Sequence, residues 1–341
     1  MKVLFIGGTG NISLASTKLA AELGMEDTLL RRGQRTADLP KDVCTIAVDV
    51  RDEEAVAEAL DSQVFDAVVD WIAFTPANIE RDIRLFRDRA KQFIFISSAS
   101  AYQKPVGHYL ITESTPLANP YWQYSRDKMA CEDRLTKAYR EEGFPVTIVR
   151  PSLTYGDTQI VLAVNSWQKS WTAVDRMRRG KKVIVPGDGS SLWVITHNSD
   201  FAQGLVGLLG HPQAIGHAFH ITSDEVMTWD QYYRITAQAA GVEARIVHIS
   251  SEFMGACMPD EVGNLTGDKA VSVVFDNSKI KRFVPGYCAK VPFSQGIQRT
   301  IEWFDADSQR KLVDEAANAA WDKLIDAYEN GVGEALRKFR A

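Results

Sequence analysis

The sequence lacks the features that mark several large classes of protein. Its 341 residues carry 39 basic and 44 acidic side chains, a net charge of −5, so no strongly basic nucleic-acid-binding surface is indicated. No apolar run reaches the roughly 18 residues that a membrane-spanning helix needs. The first residues, MKVLFIGG, lead into a strand and glycines instead of the apolar core and cleavage site of a signal peptide. We therefore expect neither nucleic acid nor a membrane as a partner.

Clusters of metal-binding or disulfide-forming residues are also scarce. The four cysteines form no CxxC pair and lie far apart, at Cys44, Cys131, Cys257 and Cys288. Scattered cysteines indicate reduced thiols and a cytoplasmic location. His217 and His220 are three residues apart on an expected strand, so their side chains would face opposite sides. We expect no metal site.

A regular alternation of strand and helix patterns occupies the first 150 residues. Apolar runs rich in β-forming residues predict strands at VLFIG (3–7), DTLLR (27–31), TIAVD (45–49), DAVVDWI (66–72), FIFISS (93–98) and VTIVRP (146–151). Helix-patterned segments separate them. Near-continuous apolar strands that alternate with helices indicate an α/β protein with a Rossmann-type doubly wound parallel sheet. Ligands bind such a sheet at the carboxyl ends of its strands.

The alternation of strand and helix patterns becomes less regular after residue 156. This change predicts a second, smaller α/β lobe that binds substrate. We expect a dinucleotide-binding domain over 1–156, with segments returning to it near 190–225 and 270–285. The substrate lobe would consist of 157–189, 226–269 and 286–341, the last rich in helix patterns. No internal repeat or low-complexity linker separates the two, so the lobe is built from non-contiguous segments.

The stretch GGTGNIS after the first strand is similar to a dinucleotide-binding glycine loop. Gly7 would make the tight turn and Gly10 would let the backbone approach a pyrophosphate at the following helix N-terminus. Ser13 stands where a third glycine normally allows close packing of helix and strand, so we expect slightly looser packing. The alternative is a glycine turn with no ligand, but the position after the first strand of an alternating pattern favours a cofactor site.

The end of the next strand, LLRRGQR, indicates which cofactor binds. An NAD site places a carboxylate there to bind the ribose 2′-hydroxyl, whereas this chain has Arg31 and Arg32. A guanidinium pairs well with a 2′-phosphate. NADP is therefore favoured and NAD stays possible, while the alternative is that both arginines are solvated loop charges. Asp49, at the end of the third strand, could reach the adenine edge.

The segment YWQYSRDK contains Tyr124 and Lys128, which lie on one face if the segment is helical. A neighbouring lysine favours the phenolate and lowers the pKa of a tyrosine from about 10. Such a tyrosine can exchange a proton with a hydroxyl or ketone while a nicotinamide exchanges hydride. The spacing alone is weak, but Ser98 ends the fifth strand just before it and could hydrogen-bond the reacting carbonyl oxygen.

GGTGNI, ISSASAY, YSRDK and RPSLTYG together resemble the extended short-chain dehydrogenase/reductase superfamily, in its NAD-dependent epimerase/dehydratase family, over residues 1 to about 305. The resemblance implies a catalytic triad of Ser98, Tyr124 and Lys128, with Lys128 also holding the nicotinamide ribose. The cofactor contacts that the resemblance implies are Gly7, Gly10, Asn11, Ile12, Asp49, Val50, Ala73, Lys128 and Pro151. The other expected cofactor contacts are Thr9, Arg31, Arg32 and Tyr124. Ser98, Ser100 and Trp193 are the expected substrate contacts.

Departures from the family pattern narrow the chemistry. Dehydratases of the family carry Thr-Asp-Glu where this chain has Ser98, Ala99 and Ser100, so it lacks the carboxyl groups for elimination. Nucleotide-sugar epimerases use two arginines on the substrate diphosphate, and here the matching residues are Trp193 and Leu265. Trp193 could offer a stacking wall or lie in the core. A cluster of arginines could replace the anion site or form a solvated helix end; its members are Arg176, Arg178 and Arg179.

These features predict an NAD(P)-dependent oxidoreductase or epimerase that acts on a hydroxyl or keto carbon of a carbohydrate-like small molecule. The alternative is a non-catalytic NADP-binding member of the superfamily with a regulatory or RNA-associated role. The resemblance further implies a possible homodimer, formed by helices near 78–91 and 121–142.

Overall fold

The computed structural model describes residues 1–33 and 38–341. The strands, numbered in chain order, are β1 (Lys2–Ile6), β2 (Glu26–Arg31), β3 (Cys44–Ala47), β4 (Ala67–Asp70), β5 (Phe93–Ile96), β6 (Leu110–Ile111), β7 (Val146–Pro151), β8 (Leu153–Tyr155), β9 (Lys182–Pro186), β10 (Leu192–Trp193), β11 (Ile195–His197), β12 (Ala218–Ile221), β13 (Met227–Thr228), β14 (Arg245–Ile249) and β15 (Val274–Phe275). The α-helices are α1 (Asn11–Glu22), α2 (Glu53–Leu60), α3 (Pro76–Phe86), α4 (Gln123–Glu142), α5 (Thr172–Arg178), α6 (Asn198–Leu208), α7 (Trp229–Ala239), α8 (Ser251–Cys257), α9 (Ser278–Phe283), α10 (Phe293–Asp305) and α11 (Glu315–Arg340).

The chain divides into two compact units. Unit 1 consists of Met1–Thr154, Ile195–Asp224 and Phe275–Lys290, and unit 2 of Tyr155–Val194, Glu225–Val274 and Val291–Ala341. The dinucleotide and substrate roles expected for the two parts of the chain stay predictions. No helix within residues 1–33 and 38–341 combines the length and apolar character that crossing a membrane requires.

A seven-stranded parallel sheet forms the centre of unit 1, in the order β3-β2-β1-β4-β5-β7-β12. Alternate residues of each central strand enter different cores. In β1, Leu4 and Ile6 join the cluster beneath α2, α3 and α4, whereas Val3 and Phe5 join the cluster beneath α1, α6 and α9. Burial of both faces explains the unbroken apolar runs in the sequence. The predicted Rossmann-type doubly wound fold is confirmed.

The helices of unit 1 begin and end where local chemistry favours it. The Asp52 carboxylate caps α2 by accepting from the Ala55 amide, at 3.1 Å. Thr75 is the N-cap of α3, and the fixed φ of Pro76 suits the first helical position. Gly143 ends α4 in the left-handed conformation, with φ +70°. Because these strands pair in parallel, the carboxyl ends of β1, β2, β4, β5 and β7 lie at one edge of the sheet.

Unit 2 has a separate core. Its strands β9 and β14 pair in parallel, and Ile184 and Ile249 from them pack with Trp321, Leu324 and Ile325 of α11. A further pair, β10 and β13, is antiparallel. The predicted helical character of the C-terminal region corresponds to α10 and α11.

Candidate active site

Two glycines with positive φ form the turn after β1. Gly7 has φ +104° and Gly8 has φ +87°, a conformation that glycine adopts at little cost. A Cβ at Gly8 would lie 2.6 Å from Leu29 Cδ2, so β2 also excludes a side chain there. The sequence prediction included Gly7 but missed Gly8, although two adjacent glycines were a visible signal.

The N-terminus of α1 carries no fixed negative charge. Gly10 is the N-cap, and the first turn of the helix has no acidic residue. The Ser13 hydroxyl accepts a hydrogen bond from the Gly10 amide at 2.8 Å. Ser13 was predicted only to loosen packing, and the structure gives its hydroxyl a bonding role at the helix start. The helix end keeps the positive potential that favours phosphate.

The remaining loop residues lie at the same turn. Thr9, Asn11 and Ile12 are half-buried. Asn11 donates from its amide to the Thr154 carbonyl, and the Asn198 side chain donates to the Asn11 carbonyl at 2.9 Å. Asn11 therefore connects the start of α1 to Thr154 of β8 and to Asn198 of α6. Its contact with the cofactor stays a prediction.

The residues expected at the adenosine end of a cofactor follow β2 and β3. Arg31 is half-buried at the end of β2, Arg32 is exposed, and Val50 is buried. Both Asp49 carboxylate oxygens pair with the Arg51 guanidinium, the shortest contact being 2.5 Å. This pairing lowers the pKa of Asp49 to about 2. Sequence reasoning missed Arg51, and an adenine contact from Asp49 stays a prediction.

This edge of unit 1 fits a dinucleotide. The two positive-φ glycines, Gly7 against the turn after β4 and Gly8 against β2, allow close backbone approach. The acid-free N-terminus of α1 suits a pyrophosphate. Ala73 follows β4 and is buried, and Pro151 is the buried last residue of β7. Each of these predicted contacts lies in unit 1, beside the carboxyl end of a sheet strand.

Lys128 is buried and bridges two strands of the sheet. Its Nζ donates to the carbonyl oxygens of Ala73, after β4, and Ile96, at the end of β5, both at 2.7 Å. Burial lowers the pKa of Lys128 to about 8, and the negative charge of Asp70 opposes that shift. The ammonium lies 5.8 Å from the centre of the Tyr124 ring. The predicted pair thus lies on one face of α4.

Tyr124 lies in the first turn of α4, among other aromatic rings. Its ring centre is 5.1 Å from that of Trp122 and 6.4 Å from that of Phe74. Lys128 Nζ lies 4.6 Å from the centre of the Phe74 ring, so the ammonium is close to both Phe74 and Tyr124. The cluster places a phenol next to a buried cation at the carboxyl edge of the sheet.

Three serine hydroxyls connect the end of β5 with α4. Ser98 caps a short 3₁₀ turn, and its Oγ lies 2.9 Å from Ser100 Oγ. Ser125, next to Tyr124 in α4, donates to Ser100 Oγ at 2.8 Å. The predicted Ser98 and Ser100 therefore belong to one hydroxyl chain that leads to the tyrosine helix. Ser125 was missed, because nothing local in the sequence shows that the strand end and the helix meet.

Trp193, an expected substrate contact, is a core residue of unit 2. Its ring centre lies 5.1 Å from that of Trp229, and its Nε1 donates to the Val271 carbonyl at 3.2 Å. Only 2% of the residue is exposed. This packing fits the alternative of a core residue, and a substrate contact from Trp193 stays a prediction. Leu265, the second residue at an expected arginine position, is also buried.

The three arginines considered as an anion site all have partners in unit 2. Arg176 is buried and donates to the Lys182 carbonyl and to Asp322. Arg178 pairs with Asp305 through both terminal nitrogens at 2.7 Å, and Arg179 pairs with Asp175 at 3.0 Å. Their contacts are structural and give no support to a substitute anion site.

His217 and His220, the two histidines considered as metal ligands, make packing and hydrogen-bond contacts. His220 is buried, with its ring nitrogens 3.1 Å from the Tyr102 hydroxyl and 2.8 Å from the Asp276 carbonyl. His217 packs edge-on against Phe219 and Phe283. Within the described ranges, no three side chains of the His, Cys, Asp and Glu types come together as a metal site would require.

Comparison with known proteins identifies the family. The model of the NAD dependent epimerase/dehydratase family matches residues 3–222. The chain belongs to this family. The resemblance stated from the motifs is therefore confirmed, and the family's description is NAD dependent.

A curated relative and two solved structures extend the comparison. Chloroplast stem-loop binding protein of 41 kDa b from Arabidopsis thaliana is 25% identical over 261 residues, 72% of this chain and 65% of its own length. The chain thus spans less than two thirds of that relative. UDP-glucose 4-epimerase from Thermotoga maritima, solved with UDP-glucose, has 20% identity and a TM-score of 0.70 over 90% of this chain and 99% of its own. dTDP-glucose 4,6-dehydratase from Bacillus anthracis, solved with NAD, has 17% identity and a TM-score of 0.71 over 91% and 98%. At these identities the two structures establish the shared fold.

Proposed function

We propose that the protein is an oxidoreductase or epimerase that exchanges hydride between a nicotinamide and a hydroxyl-bearing carbon of a carbohydrate-like small molecule. The observation that carries this proposal is Lys128, whose buried ammonium bridges the Ala73 and Ile96 carbonyls on the same helix face as Tyr124. A buried cation beside a phenol at a dinucleotide-fitting edge suits proton transfer coupled to hydride exchange.

Each residue has a distinct role in the proposed reaction. The bound dinucleotide supplies the hydride donor or acceptor. Tyr124 Oη takes the proton from the substrate hydroxyl, or returns it to the carbonyl oxygen. The positive charge of Lys128 favours the phenolate form of that tyrosine. Ser98 donates to the carbonyl oxygen and so fixes its orientation, while the hydroxyl chain through Ser100 and Ser125 holds Ser98 in place.

Lys128 also fits a second role at the cofactor. An ammonium has three N–H donors, and among the described residues two carbonyls accept from Lys128. The third donor is suited to a hydroxyl of the nicotinamide ribose. One residue would thus position the cofactor and set the charge beside Tyr124.

The proposed cofactor is NADP. Arg31 ends β2 and Arg32 follows it, at the place where an NAD site usually has a carboxylate, and guanidinium groups suit a 2′-phosphate. The family's description and the NAD in the Bacillus anthracis structure favour NAD instead. Titration of the purified protein with NADPH and NADH, followed by fluorescence, decides between them. Tighter binding of NADPH that falls in an Arg31→Ala, Arg32→Ala variant supports the proposal, and equal affinities contradict it.

The proposed substrate is a sugar or sugar-like alcohol. Solved neighbours include enzymes named for nucleotide sugars. The residues at the expected diphosphate-binding arginine positions are instead Trp193 and Leu265, both buried in unit 2. A substrate without a nucleotide diphosphate agrees best with that difference, and the missing carboxyl groups near Ser98 favour oxidation, reduction or epimerisation over dehydration.

Substitution of Tyr124 tests the chemistry. Tyr124→Phe keeps the ring and removes the hydroxyl, so we expect turnover to fall by roughly 100-fold or more while cofactor binding persists. The matched control is Tyr121→Phe, which removes a hydroxyl from a neighbouring exposed tyrosine. Turnover is measured with a panel of sugars and sugar alcohols, and the product stereochemistry separates reduction from epimerisation. Full activity of Tyr124→Phe would refute the mechanism.

A second function has one observation in its favour. The Arabidopsis relative is named for stem-loop binding, and its match covers 72% of this chain. The alternative is therefore a non-catalytic, NADP-binding regulatory or RNA-associated protein. Cofactor binding with no turnover across the panel, together with a mobility shift of stem-loop RNA that NADP alters, would favour it.

The proposed cellular form is a cytoplasmic homodimer. All four cysteines are free thiols, as a reducing compartment allows. The helices expected at the dimer interface, α3 and α4, lie side by side and are joined by ion pairs such as Glu80 with Arg134. Light scattering of the purified protein measures the oligomeric state.

A further inference from the structure

Asp70 is a buried carboxylate at the end of β4 that the family motifs do not explain. It is fully buried, and its Oδ1 accepts hydrogen bonds from two backbone amides of the following turn. The donors are the Ile72 amide at 2.6 Å and the Ala73 amide at 2.8 Å. One oxygen thus holds the backbone that carries a predicted cofactor contact.

The same turn also binds Lys128, through the backbone carbonyl of Ala73. The Ala73 amide donates to Asp70, and the Ala73 carbonyl accepts from Lys128 Nζ at 2.7 Å. The carboxylate and the ammonium are therefore connected through a single residue. Burial lowers the pKa of Lys128, and the negative charge of Asp70 opposes that lowering more strongly than the charge of Glu132 in α4.

Two residues of α3 face Asp70 from the other side. Arg81 donates from Nη2 to Asp70 Oδ2 at 3.4 Å, and from Nε and Nη2 to Asp82 Oδ1 at 2.8 and 2.6 Å. Burial and the charge of Asp70 raise the pKa of Asp82 well above its ordinary value. Asp82 Oδ2 has no hydrogen-bond partner among the described residues, so this oxygen suits the proton. The Arg81 guanidinium thus bonds to both the Asp70 and the Asp82 carboxyl groups.

We propose that Asp70 is a positioning residue for Lys128: its carboxylate holds the Ile72–Ala73 turn, and its charge keeps the Lys128 ammonium protonated at the cofactor edge. The inference rests on the proposed function for its catalytic meaning. The charged and titratable groups that face this pair are Tyr124, Cys131 and Glu132 from α4 and Arg81 and Asp82 from α3.

Asp70→Asn separates the two parts of this role. The asparagine oxygen can still accept from the Ile72 and Ala73 amides, so the turn is preserved, but the negative charge is lost. A buried ammonium without that charge loses its proton at lower pH. We expect the titration midpoint of Lys128 to fall by roughly one pH unit, and the alkaline limb of the activity profile to move with it.

The closing experiment follows Lys128 directly. Protein labelled with 13C at the lysine Cε is titrated by NMR without cofactor, and a Lys128→Met variant assigns the resonance. Asp82→Asn is the matched control, because it makes the same substitution in the same buried cluster, and among the described residues Asp82 pairs with Arg81 rather than with the turn or Lys128. We expect the pH midpoint of the Lys128 titration to fall in Asp70→Asn and to stay unchanged in Asp82→Asn. An unchanged midpoint in Asp70→Asn, or equal falls in both variants, overturns the proposal.

Two further measurements distinguish this proposal from the proposed function. The pH profile of turnover and the dissociation constant of NADPH are determined for the same variants. A shifted Lys128 midpoint together with a shifted alkaline limb supports both proposals. A shifted midpoint in a protein that neither binds nor turns over NADPH or NADH supports the role of Asp70 in holding Lys128 and refutes the proposed function.

Discussion

Two arginines among the described residues of unit 1 are buried with carboxylate partners, and the two clusters differ in their balance of charge. Arg150 in β7 pairs with one carboxylate, Glu132, through Nε and Nη2, the latter at 2.6 Å. Arg81 in α3 faces two carboxylates, Asp70 and Asp82. A balanced pair keeps both charges at neutral pH, whereas two carboxylates on one cation favour uptake of a proton.

The surroundings of the two clusters agree with this difference. Glu132 also accepts from the Ser97 hydroxyl, and Arg150 donates to the Tyr102 hydroxyl, so the balanced cluster links α4, β5 and β7. The unbalanced cluster instead leads to the turn at Ala73 and to Lys128. The balanced pair therefore serves stability, and the unbalanced one lies where a change in charge reaches the predicted active site.

Breaking the balanced pair should have the largest effect on stability. Glu132→Gln leaves Arg150 buried without its compensating charge, and we expect the free energy of unfolding to fall by about 3 kcal/mol or more. Urea unfolding at pH 7 measures the change. A loss below about 1 kcal/mol, the range of exposed ion pairs, would show that the pair is not buried as described.

Asp27 in β2 sharpens the comparison, because it is a buried carboxylate with no hydrogen-bond partner among the described residues. Burial raises the pKa of Asp27 from 3.8 to about 7. Its contribution to stability is therefore complete below pH 4 and is lost as the pH rises through 7. We expect Asp27→Asn to match the parent near pH 4 and to exceed its free energy of unfolding at pH 8 by roughly 2–4 kcal/mol. Urea unfolding across this pH range tests the sign, and parallel pH profiles for the two proteins would contradict it.

The smallest effect is expected in the unbalanced cluster. Asp82→Asn mimics the protonated acid without requiring proton uptake on folding, so at pH 7 we expect a gain of about 1 kcal/mol. The gain is smaller than for Asp27, because Arg81 already offsets part of the charge. Urea unfolding of Asp82→Asn and of Glu132→Gln under the same conditions compares the free-energy effect of the same acid-to-amide change in the two clusters. A loss as large as that of Glu132→Gln would place an ionised carboxylate at Asp82.

Sequence reasoning succeeded where the signal is local. The apolar runs of β1, β4, β5 and β7 predicted the parallel sheet because strands buried on both faces carry few polar residues. Tyr124 and Lys128 were found because a spacing of four in a helix places two side chains on one face. Gly7 was found because the turn follows directly from the strand.

Other residues depended on distant parts of the chain. Gly8 is required by Leu29 of the next strand, and Ser125 gains its role from a 3₁₀ turn 25 residues earlier. The packing of Trp193 against Trp229 could not be read from its neighbours in sequence, and its substrate contact stays a prediction. The roles suggested for Arg176 and its neighbours depended in the same way on partners far along the chain.

The sequence alone determined the fold class, the glycine loop and the tyrosine–lysine pair, since hydrophobic periodicity and helical spacing act over a few residues. Only the tertiary structure decided which of the 44 acidic side chains are buried, and beside which cations. Asp70 illustrates the difference: in the sequence it is one carboxylate at the end of a strand, and folding places it between Arg81 and the turn that holds Lys128. Electrostatic interactions depend on distance and burial, and those are set by packing between elements that are far apart in the chain.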